Sequence, residues 1–395
     1  MNKNLKILYI SKDKHPADIR TEKITESFKQ NGFDVAILCR SFLGDKSDNY
    51  KGIKIFKIAA GLFPLSQPIP YNPIWKIAIN KAIKKFSPDL IIVREIMLAL
   101  DAAKYAKKFS IPVVMDMAEN YPVVMRGWNK YKKNFFIRYL VHNLKLPDKI
   151  EKSSVKKMDA ILTVCEEQNQ RLIEQYDYPE EKLQIVHNTP LKEWFHDVKT
   201  GILIKPLVFA YHGLINSERN LDKLLYAFDL AWKVNNNIRL IIAGYGELEN
   251  DLKKLAQSLD SAENIEFKGK FSHGQIKNLY SEMDFGVLPY KLDEHINQTI
   301  SNKYFDYMGA GKPMITSLAE PMIRMNAETL AGLAIDCENI DLFADTILQF
   351  VNEANYELLL KMSESAQNEF QIHYSWERDF DRLQNFIKKN FMENQ

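Results

Sequence analysis

Short apolar runs alternate with amphipathic stretches along almost the whole chain. In residues 1–190, the runs at 5–10, 35–39, 53–58, 90–93, 113–115, 160–164 and 184–187 have strand length. The stretches at 21–30, 73–86, 98–108 and 166–175 have helical spacing. Asn31-Gly32 supplies a turn into the second strand, and Pro73 stands at a helix start, where its missing N–H is an orphan anyway. Segment 191–206 has weak periodicity and prolines at or near its flanks, which predicts a boundary. A second alternation follows, with strands at 207–211, 240–243, 265–267, 285–288 and 314–316 and helices at 221–234, 248–259, 275–282 and 303–308. The tail reads as helical and ends on Phe380, Leu383, Phe386, Ile387 and Phe391 at helical spacing. Strands alternating with helices imply parallel sheets covered on both faces. The expected architecture is α/β, with one Rossmann-like domain over 1–190 and a second over 191–376.

Composition narrows the class. The 395 residues are too many for one typical core and suit two domains. Hydrophobic residues at 46% and charged residues at 26% are ordinary for a globular chain. No apolar run approaches the roughly 18 residues of a membrane span. The first strand-like run begins at Leu5, so no signal peptide is expected before it. Cys39, Cys165 and Cys337 form neither a disulfide framework nor a metal spacing, so a cytoplasmic location is expected. The net charge of +2 hides an asymmetry: residues 1–190 carry 32 Lys and Arg against 21 Asp and Glu, and residues 191–395 carry 21 against 30. That split points to an anionic partner for the first half and says nothing of fold.

Open parallel sheets bind ligands outside the carboxyl ends of their strands. The first such loop, residues 11–20, lacks Gly-x-Gly-x-x-Gly, which argues against a nicotinamide dehydrogenase. In the second half, residues 211–220 follow a strand and open a helix. There Gly213 permits close backbone approach, and Arg219 offers a planar charged fork to phosphate. A second glycine turn, Gly244-Tyr245-Gly246, has the same setting. The third loop runs from Gln298 through Thr299, Ile300, Ser301 and Asn302 to Lys303 and Asp306. Ser301 or Asn302 would cap a helix whose first amides, with Lys303, can hold a diphosphate, while Asp306 can accept bonds from ribose hydroxyls.

Residues 301–313, Ser-Asn-Lys-Tyr-Phe-Asp-Tyr-Met-Gly-Ala-Gly-Lys-Pro, resemble the Pro-Asn-Lys-x-Phe-Glu-Tyr-x-Ala-x-Gly-Lys-Pro block of the family-4 retaining glycosyltransferases of the GT-B fold. Tyr211-His212-Gly213 through Arg219, residues 241–246 and Phe267-Lys268-Gly269 are similar to further blocks of that family. So are Asp18-Ile19-Arg20, the Asp116–Pro122 segment, residues 163–166 and Asn188-Thr189-Pro190 in the first half. The resemblance implies two Rossmann-like domains facing across a cleft, with a C-terminal helix from residue 377 packing back on the first domain. It implies a nucleotide-sugar donor, UDP- or GDP-linked, a glycan or lipid-linked saccharide acceptor, transfer of a hexosyl or N-acetylhexosaminyl group with retention, and a place in envelope polysaccharide synthesis. Arg219 then contacts the donor diphosphate, Gln298 the transferred sugar and Asp306 the ribose. Thr299, Ile300 and Ser301 offer amides, and Tyr245, Lys270 and Phe271 frame the base. Asp18, Arg20 and Asp116 fall on the acceptor side. Three positions depart from the pattern: Gln298 replaces an acid, Leu214 a frequent Arg, and Ala118 a frequent His, so Glu119 or Asp116 would serve there.

Sugar transfer develops negative charge on the leaving diphosphate, so Arg219, Lys303 and the amides at 299–302 are the expected stabilisers. No cofactor and no metal site are expected. Asp379-Phe380-Asp381 reads as solvated surface, because i and i+2 diverge on a helix. Glu119 is the candidate acceptor-side carboxylate. Segment 126–157 interleaves Arg126, Lys130, Lys132, Lys133, Arg138, Lys145, Lys149, Lys152, Lys156 and Lys157 with Trp128, Tyr131, Phe135, Phe136 and Tyr139. Such a pattern suits the anionic inner face of a membrane, and equally a helical hairpin with a solvated basic face. No nucleic-acid motif accompanies the charge. A nucleotide-sugar epimerase of the same fold and a non-catalytic nucleotide-sugar-binding protein are the alternatives.

Overall fold

β1 (Lys6–Lys14) is fully buried from Ile7 to Ile10, as befits a strand covered on both faces of a parallel sheet. The computed structural model to which it belongs describes residues 5–16, 18–40, 48–59, 65–127, 135–198, 206–271 and 273–392. It divides into two units, Met1–Asn188 with Phe380–Gln395, and Thr189–Asp379.

In the first unit, β1 is followed by α1 (Ile19–Gln30), β2 (Asp34–Arg40), β3 (Asn49–Tyr50), β4 (Ile53–Ile58), α2 (Pro73–Phe86), β5 (Leu90–Arg94), α3 (Ile96–Lys108), β6 (Val113–Asp116) and α4 (Tyr121–Gly127). Then come α5 (Leu146–Val155), β7 (Ala160–Thr163), α6 (Glu166–Tyr176) and β8 (Leu183–Ile185). Strand order is β3-β4-β2-β1-β5-β6-β7-β8, and only β3–β4 is antiparallel. Local chemistry explains the helix starts. Asp18 caps α1 by accepting from the Arg20 amide at 3.2 Å, and Asn72 caps α2 by accepting from Ile74 at 2.9 Å, with Pro73 in the first turn. Trp75 is fully buried among Leu8, Ile10, Ile91 and Val93, and its indole N–H reaches the Ser66 carbonyl at 3.0 Å.

In the second unit, β9 (Leu207–Leu214), α7 (Leu221–Val234), β10 (Ile238–Tyr245), α8 (Glu249–Gln257), β11 (Ile265–Gly269), α9 (His273–Glu282) and β12 (Phe285–Leu288) precede α10 (Asn302–Gly309). β13 (Met314–Ser317), α11 (Glu320–Thr329), β14 (Gly332–Ile335), α12 (Ile340–Val351) and α13 (Tyr356–Ile372) follow. The order is β11-β10-β9-β12-β13-β14, parallel throughout. The last helix, α14 (Trp376–Phe391), begins in the second unit and ends in the first, where Phe380 meets Phe28 edge-on at 5.2 Å. Strand order reverses between β1 and β5 in one sheet and between β9 and β12 in the other. Those two crevices are where open α/β sheets take ligands.

Two elements and one residue differ from the pattern-based expectation. β3 pairs with β4 through Lys51-Gly52, both at positive φ, a turn that the sequence signalled only by its glycine. β14 lies inside the stretch read as a helical tail; it has four residues and pairs only at the edge of its sheet. Asp379 is buried rather than solvated and accepts from the Thr189 hydroxyl at 2.5 Å. It lies in the first turn of α14, whose N-terminal amides favour a carboxylate.

Candidate functional site

The loops after β9, β10 and β12 hold the residues expected to bind a donor. β9 and β10 extend three and two residues past their expected ends, so that Gly213 pairs with Gly244. The two strands are closest there: a methyl group on Gly244 would lie 1.8 Å from the Gly213 carbonyl oxygen. One on Gly213 would lie 2.2 Å from Cε of Lys303, so the lysine stem lies directly over the glycine. A methyl on Gly246 would lie 2.0 Å from the carbonyl oxygen of Ile215, whose N–H donates to the Tyr245 carbonyl at 2.9 Å. The glycines therefore fix the loop shape.

Arg219 closes a short 3-10 turn before α7. Its guanidinium stacks over Tyr290, with Cζ 4.5 Å from the ring centroid. Tyr290 in turn shares a 2.9 Å hydrogen bond with the hydroxyl of Ser301. Ser301 is the N-cap of α10 with extended backbone, and its side chain makes no capping bond. Stacking fixes the guanidinium plane and leaves its N–H edge to a ligand. Nε is buried and has no hydrogen-bond partner among the described residues, and Glu218 approaches Nη2 only to 3.9 Å. An unmatched buried donor next to an uncapped helix start is a site made for an anion.

Deeper in the same unit, His212 packs edge-on to Phe271, Tyr280 and Tyr307 at 5.9, 5.5 and 5.2 Å. Burial, reinforced by Lys303, holds its imidazole well below the usual range. The ring is therefore neutral, so its 3.8 Å approach to Asp306 is a dipolar contact, not an ion pair. Nε2 of His212 lies 3.2 Å from the Tyr280 hydroxyl, and that hydroxyl also bonds Asp306. Asp306 is thus oriented by a neutral network and keeps part of its side chain exposed. Tyr245 is half exposed with Lys270 Nζ 5.2 Å over its ring. Gln298 ends a 3-10 turn before Thr299 and is half-buried, while Ile300 is buried. Among the described residues, no group of three His, Cys, Asp or Glu side chains is placed to hold a metal ion.

The acceptor-side candidates lie in the first unit, and two of them face each other. Arg20 and Asp116, expected to meet the acceptor, are buried and engage each other. Arg20 Nη2 and Nε reach Oδ1 of Asp116 at 2.7 and 2.9 Å. Tyr9 donates to Oδ2 at 2.7 Å, and Arg20 Nη1 donates to the Val186 carbonyl at 2.8 Å. With their bonding groups turned inward, they tie α1, β1, β6 and the end of β8 together. Asp18 caps α1, takes the Thr21 hydroxyl at 2.7 Å and meets Arg94 Nε at 3.3 Å. Glu119 is half-buried on the loop after β6.

A sequence model described as "Glycosyl transferases group 1" matches residues 192–369, and one described as "Glycosyltransferase Family 4" matches residues 19–189. Together these two glycosyltransferase models cover most of the chain, and its fold is the GT-B fold. Among solved structures, a sucrose-phosphate synthase from Thermosynechococcus elongatus is similar over 98% of this chain and 99% of its own, with 14% identity and a TM-score of 0.74. A glycosyltransferase from Rickettsia africae is similar over 99% of both chains at 15% identity, TM-score 0.71. Anabaena Alr3699/HepE, solved with UDP-glucose, is similar over 98% and 100% at 12% identity, TM-score 0.69. Such identities speak for the fold alone. An uncharacterized glycosyltransferase of Methanocaldococcus jannaschii is 18% identical over 55% of this chain and 56% of its own. The alpha-monoglucosyldiacylglycerol synthase of Streptococcus pneumoniae is 28% identical over 26% and 22%. The match thus spans about half the length of the first relative and less of the second.

Sequence reasoning passed over Tyr290, Arg94 and Glu95. Tyr290 sits two residues past β12, a position where an aromatic next to a strand reads as core. Arg94 ends β5 and Glu95 follows it, with no motif around them.

Proposed function

We propose that the protein transfers a hexosyl or N-acetylhexosaminyl group from a UDP- or GDP-linked donor to a glycan or lipid-linked saccharide, with retention of configuration. The observation that carries this is Arg219, stacked on Tyr290 with a buried unmatched N–H beside the start of α10, with Lys303 lying over Gly213 on the same sheet edge. Those groups suit the charge that builds on a departing diphosphate. Asp306, oriented by Tyr280 and His212, suits ribose hydroxyls, and Tyr245 and Lys270 suit a base. Gln298 would hydrogen-bond the sugar without adding charge. The HepE complexes with UDP and UDP-glucose support a nucleotide-sugar donor. A scaffold that binds nucleotide-sugar without turning it over is the second reading, favoured by Gln298 in place of an acid.

Thermal shift against UDP-, GDP-, ADP- and dTDP-sugars, with and without divalent metal, tests the donor site. A donor at 100 times its Kd is expected to stabilise the fold by about 2.7 kcal/mol. No shift with any donor would remove the basis of this proposal. Donor hydrolysis or transfer, followed by product release, separates enzyme from scaffold.

The acceptor reading extends to the inner membrane surface. Phe135 and Phe136 are 83% and 67% exposed, and Arg138, Tyr139, Lys145, Leu146, Lys149, Lys152, Lys156 and Lys157 are also exposed. Trp128, Lys130, Tyr131, Lys132 and Lys133 lie outside the described residues. No described helix is long and apolar enough to cross a membrane. Each basic residue near an anionic surface contributes about 1 kcal/mol. The protein is expected to sediment with phosphatidylglycerol vesicles and not with phosphatidylcholine ones, and Phe135→Ser with Phe136→Ser should weaken this. Equal recovery with both lipids would rule the surface out.

A further inference from the structure

Glu95 stands where β5 turns into α3, at the point where strand order reverses between β1 and β5. Its backbone has φ 64° and ψ 171°, a region that glycine adopts and other residues avoid. Residues held there cluster at ligand sites, because the strain persists only where the surroundings impose it. The turn presents the side chain at the carboxyl edge of the sheet, and the amide N–H is used by the Asp116 carbonyl at 3.0 Å.

The carboxyl group is half engaged. Oε1 receives Arg94 Nη1 at 2.9 Å and the Ala118 N–H at 3.3 Å. Oε2 is buried and has no hydrogen-bond partner among the described residues. Such an oxygen in a residue only 2% exposed demands a partner that the described residues do not supply. The charged groups acting on Glu95 are Arg94, Glu119, Asp116 and Lys12, and Tyr121 stands near it. Lys12 and Glu119 are half-buried and mark the solvent side.

We propose that Glu95 is a saccharide-binding residue whose free oxygen Oε2 hydrogen-bonds a sugar hydroxyl in the crevice between the ends of β1 and β5. The assignment rests on the transferase reading above. The sugar is that of the acceptor. Burial raises the Glu95 carboxyl to about 8, with Glu119 and Asp116 adding and Arg94 opposing. Near neutral pH it therefore carries a proton and can both donate and accept, as the side-chain amide of glutamine can.

The test compares Glu95→Gly and Glu95→Gln in the full chain, using UDP-glucose, UDP-N-acetylglucosamine and GDP-mannose as donors and octyl glucoside as the acceptor probe. Glycine relieves the backbone, so the first variant is expected to melt no lower than wild type and to bind UDP or GDP unchanged. Its KM should rise about tenfold for the saccharide that Glu95 touches. A rise for octyl glucoside with donor hydrolysis unchanged is the expected result, and a rise for donor hydrolysis alone would overturn the assignment. Glutamine should restore KM at neutral pH and abolish the rise in KM that wild type shows above about pH 8. Unchanged KM for both substrates, or a glycine variant melting well below wild type, would overturn the assignment and leave the transferase reading standing. A wild type inert with all three donors would overturn that reading and this assignment with it.

Discussion

Arg219→Ala is expected to lower kcat/KM for the donor by about 100- to 1,000-fold, the usual cost of removing one preorganised donor to a developing anion. The expectation follows from how the guanidinium is held. Stacked 4.5 Å over Tyr290, it has little rotational freedom left, so its N–H groups need no reorganisation when charge builds on the diphosphate. Among the described residues its ion-pair partner is Glu218, which stands 3.9 Å from Nη2 and is half exposed, too distant and too hydrated to neutralise it. Arg219→Lys would keep the charge and lose the plane and the stack, so it should recover only a small part of the loss. Tyr290→Phe keeps the stack and breaks the bond to Ser301, and should cost much less than Arg219→Ala. Arg219 is confined to a short turn and, among the described residues, makes no ion pair closer than 3.9 Å, so the fold should survive its removal, which melting of the apo variant would check. Near-wild-type turnover in Arg219→Ala at subsaturating donor would place the diphosphate elsewhere.

The sheet architecture was legible because a parallel strand buried on both faces is a continuous apolar run, as at 285–288, while 53–58 alternates and 221–234 has helical spacing, and all three coincide with the observed elements. Short edge elements were not legible. β3 has two residues and β14 has four, and neither needs an apolar run when one side of the strand is open. In the site, the glycine turns could be read, because Gly213, Gly244 and Gly246 each leave no room for a Cβ. What could not be read was which charges face a ligand and which face each other. Arg20 and Asp116 are 96 residues apart in sequence, and only the fold shows that they are one buried pair. Glu95 carries no motif at all; its strained φ exists only in three dimensions.

That buried pair sets the second large expectation: Asp116→Asn should destabilise the first unit by about 3–5 kcal/mol, because Arg20 would remain buried without its carboxylate. For a unit of this size that corresponds to a loss of melting temperature on the order of 10 °C. The asparagine keeps the shape and one acceptor oxygen, so the change isolates charge from packing. The pH dependence carries the sign. Burial alone would raise the Asp116 carboxyl, but Arg20 first and Arg94 next outweigh it and hold it below the usual carboxylate range. A carboxylate depressed in the folded state contributes its full stability above its unfolded pKa of about 3.9 and loses it as pH falls through the folded value. Wild type and Asp116→Asn should therefore differ by a constant amount from neutral pH down to about pH 4, and the gap should close below that. Arg94, which also meets Asp18, keeps a partner in the variant, so the penalty falls mainly on Arg20. Urea unfolding of both proteins across that range measures it. A variant as stable as wild type near neutral pH would mean that water or another carboxylate already satisfies Arg20, and that the pair does not hold α1 to the sheet.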